Sequence, residues 1–150
     1  MPDQPAEDPF NLRRFVSAQD ADQTFERALA EIRRGAKTTH WMWYVFPQLV
    51  GLGGTGKAQK FGISDRAEAE AYLAHPILGP RLVQCAEAAL GVDGKTAVQI
   101  FDEVDAKKLR SSATLFATVS PPGSVFHQLL AKYYDDVPDG TSVARLGIAD

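Results

Sequence analysis

The side chains with the most chemistry to offer lie in two short runs. The first is His40-Trp41-Met42-Trp43-Tyr44-Val45-Phe46-Pro47-Gln48. An imidazole beside indoles and a phenol presents a flat, π-rich wall together with a proton that moves near neutral pH. On a helix, His40 and Trp43 are three positions apart and share a face. The second run is Lys107-Lys108-Leu109-Arg110-Ser111-Ser112-Ala113-Thr114. On a helix Lys107 falls over Ser111 and Arg110 over Thr114, which lines up cations and hydroxyls as an anion grip. The candidate ligand-binding residues are therefore His40, Trp43, Tyr44, Gln48, His75, Lys108, Arg110 and Ser111. Trp43 and Tyr44 would stack on a base or other flat ring, and Lys108 and Arg110 would take a phosphate. Each run also has an ordinary reading. The aromatic run can be a core plug, and the basic run a solvated face whose hydroxyls bond back to the preceding turn. The sequence does not place His40 and Arg110 in one pocket.

Other chemistries find less support. Gly51-Leu52-Gly53-Gly54-Thr55-Gly56-Lys57 matches both G-x-G-x-x-G and G-x-x-x-x-G-K, patterns in which glycine lets backbone N–H groups approach phosphate oxygens. The phosphate loop needs Ser or Thr after the lysine, and Ala58 stands there. The dinucleotide fingerprint needs a strand before it, and Pro47 interrupts any such strand. A connector made pliant by glycine is the preferred reading. His40, His75 and His127 show no ligand-pair spacing, and a lone cysteine excludes a multi-cysteine zinc site, so no metal is expected. No G-x-S-x-G elbow occurs. Cys85, on an apolar helix face, reads as an inert core thiol. No cofactor is indicated, and the sequence leaves open whether the protein is an enzyme.

The elements that must position these residues read as helices. Asp8 caps a short helix with Pro9 at its first position, and Phe10, Leu12, Phe15 and Val16 form its apolar patch. Asp20 to Arg34 is the clearest helix: Phe25, Ala28, Leu29 and Ile32 form the buried face, Glu26 and Glu31 point outward, and Gly35 ends it. The aromatic run is apolar on every side and could be a helix capped by Thr39 or a buried strand; Pro47 argues against a central strand, and a short buried helix is preferred. Ser64 starts a helix with Ala67, Ala71 and Ala74 inward, ended by His75-Pro76. Pro80 to Leu90 carries Leu82, Val83, Ala86 and Leu90 inward and closes at Gly91. Thr96 caps Ala97 to Phe101, and Asp102 caps a longer helix to about Val119. Ser120-Pro121-Pro122-Gly123 breaks the chain, Ser124 caps the next helix, and Pro138-Asp139-Gly140 precedes a last short turn. No alternating strand pattern and no internal repeat appear. The expectation is an all-α fold: a single compact domain of about six to eight helices, several short, over residues 8–150, behind a disordered tail at residues 1–7.

Composition bounds the functional class. The chain has 150 residues, of which 45% are hydrophobic and 23% charged, and its formal charge is −3. That balance suits a globular domain large enough to hold a core without disulfides. The acidic pI, about 5.6, weighs against a dedicated nucleic-acid binder. No apolar run approaches the length of a membrane span, and the acidic, proline-rich start is not a signal peptide. A cytoplasmic protein is expected, with neither nucleic acid nor membrane as partner, existing as a monomer or weak homodimer.

Several segments together carry a resemblance. They are Asp8-Pro9-Phe10-Asn11-Leu12-Arg13-Arg14-Phe15, His40 to Gln48, Gly51-Leu52-Gly53, Ala71-Tyr72-Leu73-Ala74-His75-Pro76, Leu78-Gly79-Pro80-Arg81-Leu82, Lys108-Leu109-Arg110-Ser111-Ser112 and Thr114-Leu115-Phe116. From Asp8 to about Leu146 the chain resembles an uncharacterised bacterial family of small all-α proteins, a domain of unknown function often mislabelled "calpastatin". The resemblance implies one mostly helical domain and supplies no catalytic residues. The label itself does not suit the chain, because a calpain inhibitor of that type is a disordered repeat protein. Two functions follow as expectations. The first is binding of a small polar ligand, nucleotide- or ADP-ribose-like, which the protein could also act upon with His40 as proton-transfer group. The alternative is a non-catalytic protein–protein interaction module built on a helical groove.

Overall fold

The computed structural model describes residues 8–50 and 56–146. The expected tail at residues 1–7 and glycines 51, 53 and 54 of the glycine-rich run lie outside the described residues. Among these the fold is all-α, with one isolated parallel bridge, Leu49 to Ile63, in place of any strand.

Helix α1 (Arg13–Asp20) begins later than Pro9. The Asp8 carboxylate does accept from the N–H groups of Leu12 (2.8 Å) and Arg13 (3.0 Å), but the chain first turns through Asn11, which takes φ 53°. Asn tolerates that left-handed geometry well, so the turn displaces the helix start. The expected helix from Asp20 is likewise divided. Asp22 and Gln23 both have positive φ, and α2 (Thr24–Arg34) starts only after them. Gly35, at φ 74°, closes α2 as expected, with its N–H directed to Glu31 and Ile32 carbonyls.

The largest correction concerns Glu31. It points inward and is 3% exposed, beside Ala28 and Ile32 on the buried face. After Gly35 the chain folds back over that face and supplies donors. Glu31 Oε1 accepts from Thr38 N–H (2.8 Å), Thr39 N–H (3.1 Å) and the Trp41 indole (2.9 Å), and Oε2 accepts from the Thr39 hydroxyl (2.6 Å). A charge spacing rule reads Glu31 as solvent-facing because it cannot foresee donors arriving from the next segment.

Helix α3 (Met42–Val45) is the short buried helix expected, but Trp41 rather than Thr39 precedes it. Helix α4 (Gly56–Lys60) leads to the bridge, where Ile63 N–H donates to the Gln48 carbonyl and Val50 N–H to the Ile63 carbonyl, both at 2.9 Å. Helix α5 (Arg66–Ala74) is capped by Asp65, and it buries Glu68, Ala69 and Tyr72, while Ala67 and Ala74 are exposed. Tyr72 outweighs three alanines in apolar area, and it meets Phe15 edge-on at 5.1 Å. Glu68 follows inward because Arg14 meets it at 2.8 Å and Ser64 gives it both N–H and hydroxyl. The end of α5 lies so close to α6 (Leu78–Leu90) that a Cβ on Gly79 would stand 2.1 Å from the Leu73 carbonyl oxygen.

Helix α7 (Ala97–Thr118) is interrupted at Asp102, φ 71° and ψ 175°, where the sequence places a second start. Thr96 and Gln99 form a capping box for the first part, and Asp102 Oδ1 accepts from Asp105 N–H (2.9 Å) at the second. Ser124 caps α8 (Val125–Tyr134), and Asp139 accepts from Ser142 at the start of α9 (Gly140–Leu146). The helices share one core in which Trp41, Tyr72, Phe15, Phe101 and Phe116 are fully buried. Cys85 lies in it too, and burial pushes its thiol up to about 12, in keeping with an inert core residue.

Burial alone would raise the Glu31 pKa. Hydrogen bonds from the Thr39 hydroxyl, Thr38 N–H, the Trp41 indole and Thr39 N–H outweigh it and lower the group from 4.5 to about 2. A depressed carboxylate contributes stability that is complete above about pH 4.5 and fades as pH falls toward 2. Replacing Glu31 with Gln should cost about 3 kcal/mol at pH 7, with the gap to the wild type narrowing at pH 3. Urea unfolding of both chains at the two pH values measures this. Equal unfolding midpoints at pH 7 would show that the carboxylate contributes nothing.

Candidate functional site: a cation-covered tryptophan

The segment from Ala36 to Trp41 is clamped between α2 and α7. Glu31 holds Thr38, Thr39 and Trp41 from one side. On the other side Lys37 N–H donates to the Ile100 carbonyl (2.8 Å), and Lys37 Nζ meets Asp105 Oδ2 at 2.7 Å. Lys37 Nζ also donates to the Thr39 carbonyl (2.6 Å) and sits 5.0 Å from the centre of the Trp41 ring. The Lys37 and Asp105 side chains are 6% and 12% exposed, so this ion pair is largely withdrawn from water.

The second oxygen of Asp105 reaches Lys108 Nζ at 3.5 Å, and that ammonium lies 4.7 Å from the centre of the Trp43 ring. Lys57, from the start of α4, brings a second ammonium to the same ring at 5.0 Å and stands 5.7 Å from the Tyr44 ring. Tyr44 packs edge-on to Phe61 at 4.8 Å, and its carbonyl accepts from the Gln19 amide (2.7 Å). Trp43 is thus fixed at both ends of its helical turn and carries two cations on one indole. A ring face attracts each cation by about 0.5–2 kcal/mol, while the two ammoniums repel one another. Lys108 shares a carboxylate that Lys37 already holds more closely, and Lys57 meets no carboxylate among the described residues. The Trp43 Nε1 donor is buried and has no hydrogen-bond partner among the described residues.

Of the residues singled out from sequence, Trp43, Tyr44 and Lys108 lie together here. His40 is exposed and precedes α3, so it does not share a helical face with Trp43: Glu31 holds Thr38 to Trp41 outside any helix. Gln48 serves the bridge through its backbone carbonyl. At the α5–α6 turn, His75 Nδ1 accepts from Ile77 N–H (3.1 Å) and Leu78 N–H (3.2 Å). Burial lowers the His75 pKa against the opposing pull of Asp8. Arg110 turns the other way from Lys108, as two-residue spacing on a helix requires. Its Nε donates to the Val137 carbonyl (2.8 Å), and its guanidinium lies over Tyr134. Ser111 and Thr114 are buried and bond back to the carbonyls of Lys107 and Arg110, which is the ordinary reading of those hydroxyls.

Lys37, Lys57, Asp105 and Glu31 complete the cluster and were not singled out. Lys57 was visible as the lysine closing the glycine-rich run, and Asp105 as the acid three positions before Lys108. A cavity of about 520 Å³, lined by Leu49, Val50, Ser64, Arg66 and Leu146 among others, contains none of the expected residues. No group of three or more His, Cys, Asp or Glu side chains among the described residues could hold a metal. No helix among them is long and apolar enough to cross a membrane.

Residues 9–146 match a family described as "Protein of unknown function (DUF1810)". The chain is also similar to the crystal structure of the conserved hypothetical protein Rv1873 from Mycobacterium tuberculosis. The two share 46% identity and a TM-score of 0.90, over 95% of this chain and 100% of that one. No match was found among curated proteins.

The Lys37–Asp105 pair predicts an asymmetric mutational pattern. Asp105→Asn leaves a buried ammonium uncompensated and should cost about 3 kcal/mol, whereas Lys37→Met combined with Asp105→Leu should recover most of that. Thermal or urea unfolding of the single and double variants measures the difference. A double variant less stable than Asp105→Asn would contradict the buried-charge account.

Proposed function

We propose that this chain, which belongs to the DUF1810 family of proteins of unknown function, binds a small polar anionic ligand, nucleotide- or ADP-ribose-like, at the Trp43 cluster. The observation that carries this reading is the convergence of Lys57 and Lys108 on one indole, where among the described residues Lys57 meets no carboxylate and Lys108 shares Asp105 with Lys37. The protein as a whole is acidic, so a confined cationic spot favours a small anion over a polyanion. Tyr44 and the exposed His40 border the spot in sequence and offer a phenol and an imidazole. The reading is one of binding, because no described group stands poised for proton transfer against Trp43. A buried, lone cysteine and the lack of a membrane-crossing helix among the described residues fit a cytoplasmic location. The interaction-module reading has less to carry it. The large exposed apolar residues, Ile77, Val98, Val104 and Val137, are spread over the α5–α6 turn, α7 and the α8–α9 connection.

Titration calorimetry with AMP and ADP-ribose tests the site. Lys57→Ala and Lys108→Ala should each weaken binding by about tenfold, the loss expected for one charge-assisted contact. Unchanged affinity in both variants, or no binding of either ligand by the wild type, would refute the proposal.

A further inference from the structure

We infer that the group received at this site is a terminal phosphate, taken at the edge of Trp43 by its indole N–H together with the Lys57 and Lys108 ammoniums. The inference rests on the ligand-binding reading above and narrows it to a nucleotide-like ligand, because both phosphates of ADP-ribose are internal.

The two tryptophans pose the same problem and meet different solutions. Trp41 Nε1 donates to a buried carboxylate oxygen at 2.9 Å. Trp43 Nε1, two residues on, is buried with no acceptor among the described residues. An orphaned buried donor is costly, and native structures retain few of them. An acceptor supplied from outside the chain removes that cost.

The neighbours of the indole say which acceptor. Lysine ammoniums stand against the Trp43 ring at 4.7 and 5.0 Å, so its faces serve cations rather than a stacked base. What the ring has left to give is its edge, a hydrogen-bond donor. Lys57 meets no carboxylate among the described residues, and Lys108 is the looser of the two partners of Asp105, at 3.5 Å against 2.7 Å for Lys37. Both ammoniums therefore have unspent charge close to the orphaned N–H. The indole N–H and the two ammoniums on its ring together offer donors for three acceptor oxygens. A terminal phosphate has three, and a carboxylate has two. Nε1 is covered, so an oxygen reaches it only when its cover moves aside. Lys57 is exposed, so its side chain is free to turn toward the anion.

The chain has two tryptophans, so the ¹⁵N-labelled full-length protein gives two indole N–H signals, which Trp43→Phe assigns. The Trp43 proton should lie upfield of the hydrogen-bonded Trp41 proton. Inorganic phosphate and AMP should each move it downfield to saturation, and adenosine should not. The Trp41 signal should stay in place. Lys57→Met with Lys108→Met should abolish the shift while the Trp41 signal reports an intact fold. AMP binding, seen at other signals, with the Trp43 proton unmoved would overturn the phosphate assignment and leave the ligand-binding reading standing. An equal response to adenosine would do the same. No response of any signal to phosphate or AMP would overturn both. A response to AMP but not to inorganic phosphate would place the phosphate on a metabolite, and equal responses would make free phosphate sufficient.

Discussion

A single carboxylate inside the protein, that of Glu31, determines how the aromatic run is presented. It accepts four hydrogen bonds, all from one segment of six residues. With its lone pairs satisfied by neutral donors, it stays ionised at 3% exposure. The donors in turn lose their freedom: Thr38 and Thr39 are held outside a helix, Trp41 is fixed at its N–H, and α3 can begin only at Met42. That start decides where Trp43 and Tyr44 point. A helix begun at Thr39 would rotate them to other directions and would bring His40 onto the face of Trp43.

A second buried carboxylate performs the same service on the other side of the aromatic run. Glu68 meets Arg14 at 2.8 Å, and Arg14 also donates to the carbonyls of Phe10, Lys60 and Gly62. It ties α1 to the end of α4 and to the approach to the bridge, the segment that carries Lys57. Asp105 is the third. It faces Lys37 and Lys108 at once, so the ammoniums over Trp41 and Trp43 share one counter-charge. Three acids that a surface-charge reading would turn to solvent thus hold the connections between helices in a fold whose helical faces are otherwise packed by apolar side chains. Removing one member of such a pair leaves the other buried and unpaired, which is where the cost of a substitution arises.

The all-α class and most helix boundaries could be read from the sequence where a local stop signal exists. Gly35 ends α2, Thr96 with Gln99 opens α7, Asp102 interrupts it, and Ser124 opens α8. These are short-range effects that neighbouring residues decide. The inward face of α5 could not be read, because Tyr72 and Glu68 are drawn in by Phe15 and Arg14 from more than fifty positions away. The same holds for the site. Trp43, Tyr44 and Lys108 were visible as residue types able to bind, but their meeting depends on the break at Asp102, which sets the rotation of α7. Arg110 left the cluster for the same helical reason that Lys108 joined it. Lys57 was hidden behind a glycine pattern that suggested a different phosphate site.

The phosphate site proposed at Trp43 depends on the buried Glu31 network for its setting. The most direct measurement is the affinity of the Glu31→Gln chain for AMP, taken at pH 7 and at a temperature where that chain is folded. Affinity several-fold weaker than that of the wild type is expected, because Trp43 and its lysines lose their fixed setting while keeping every group proposed to contact the ligand. Equal affinity in the two chains would contradict it, and would separate the network that holds the fold from the site that binds.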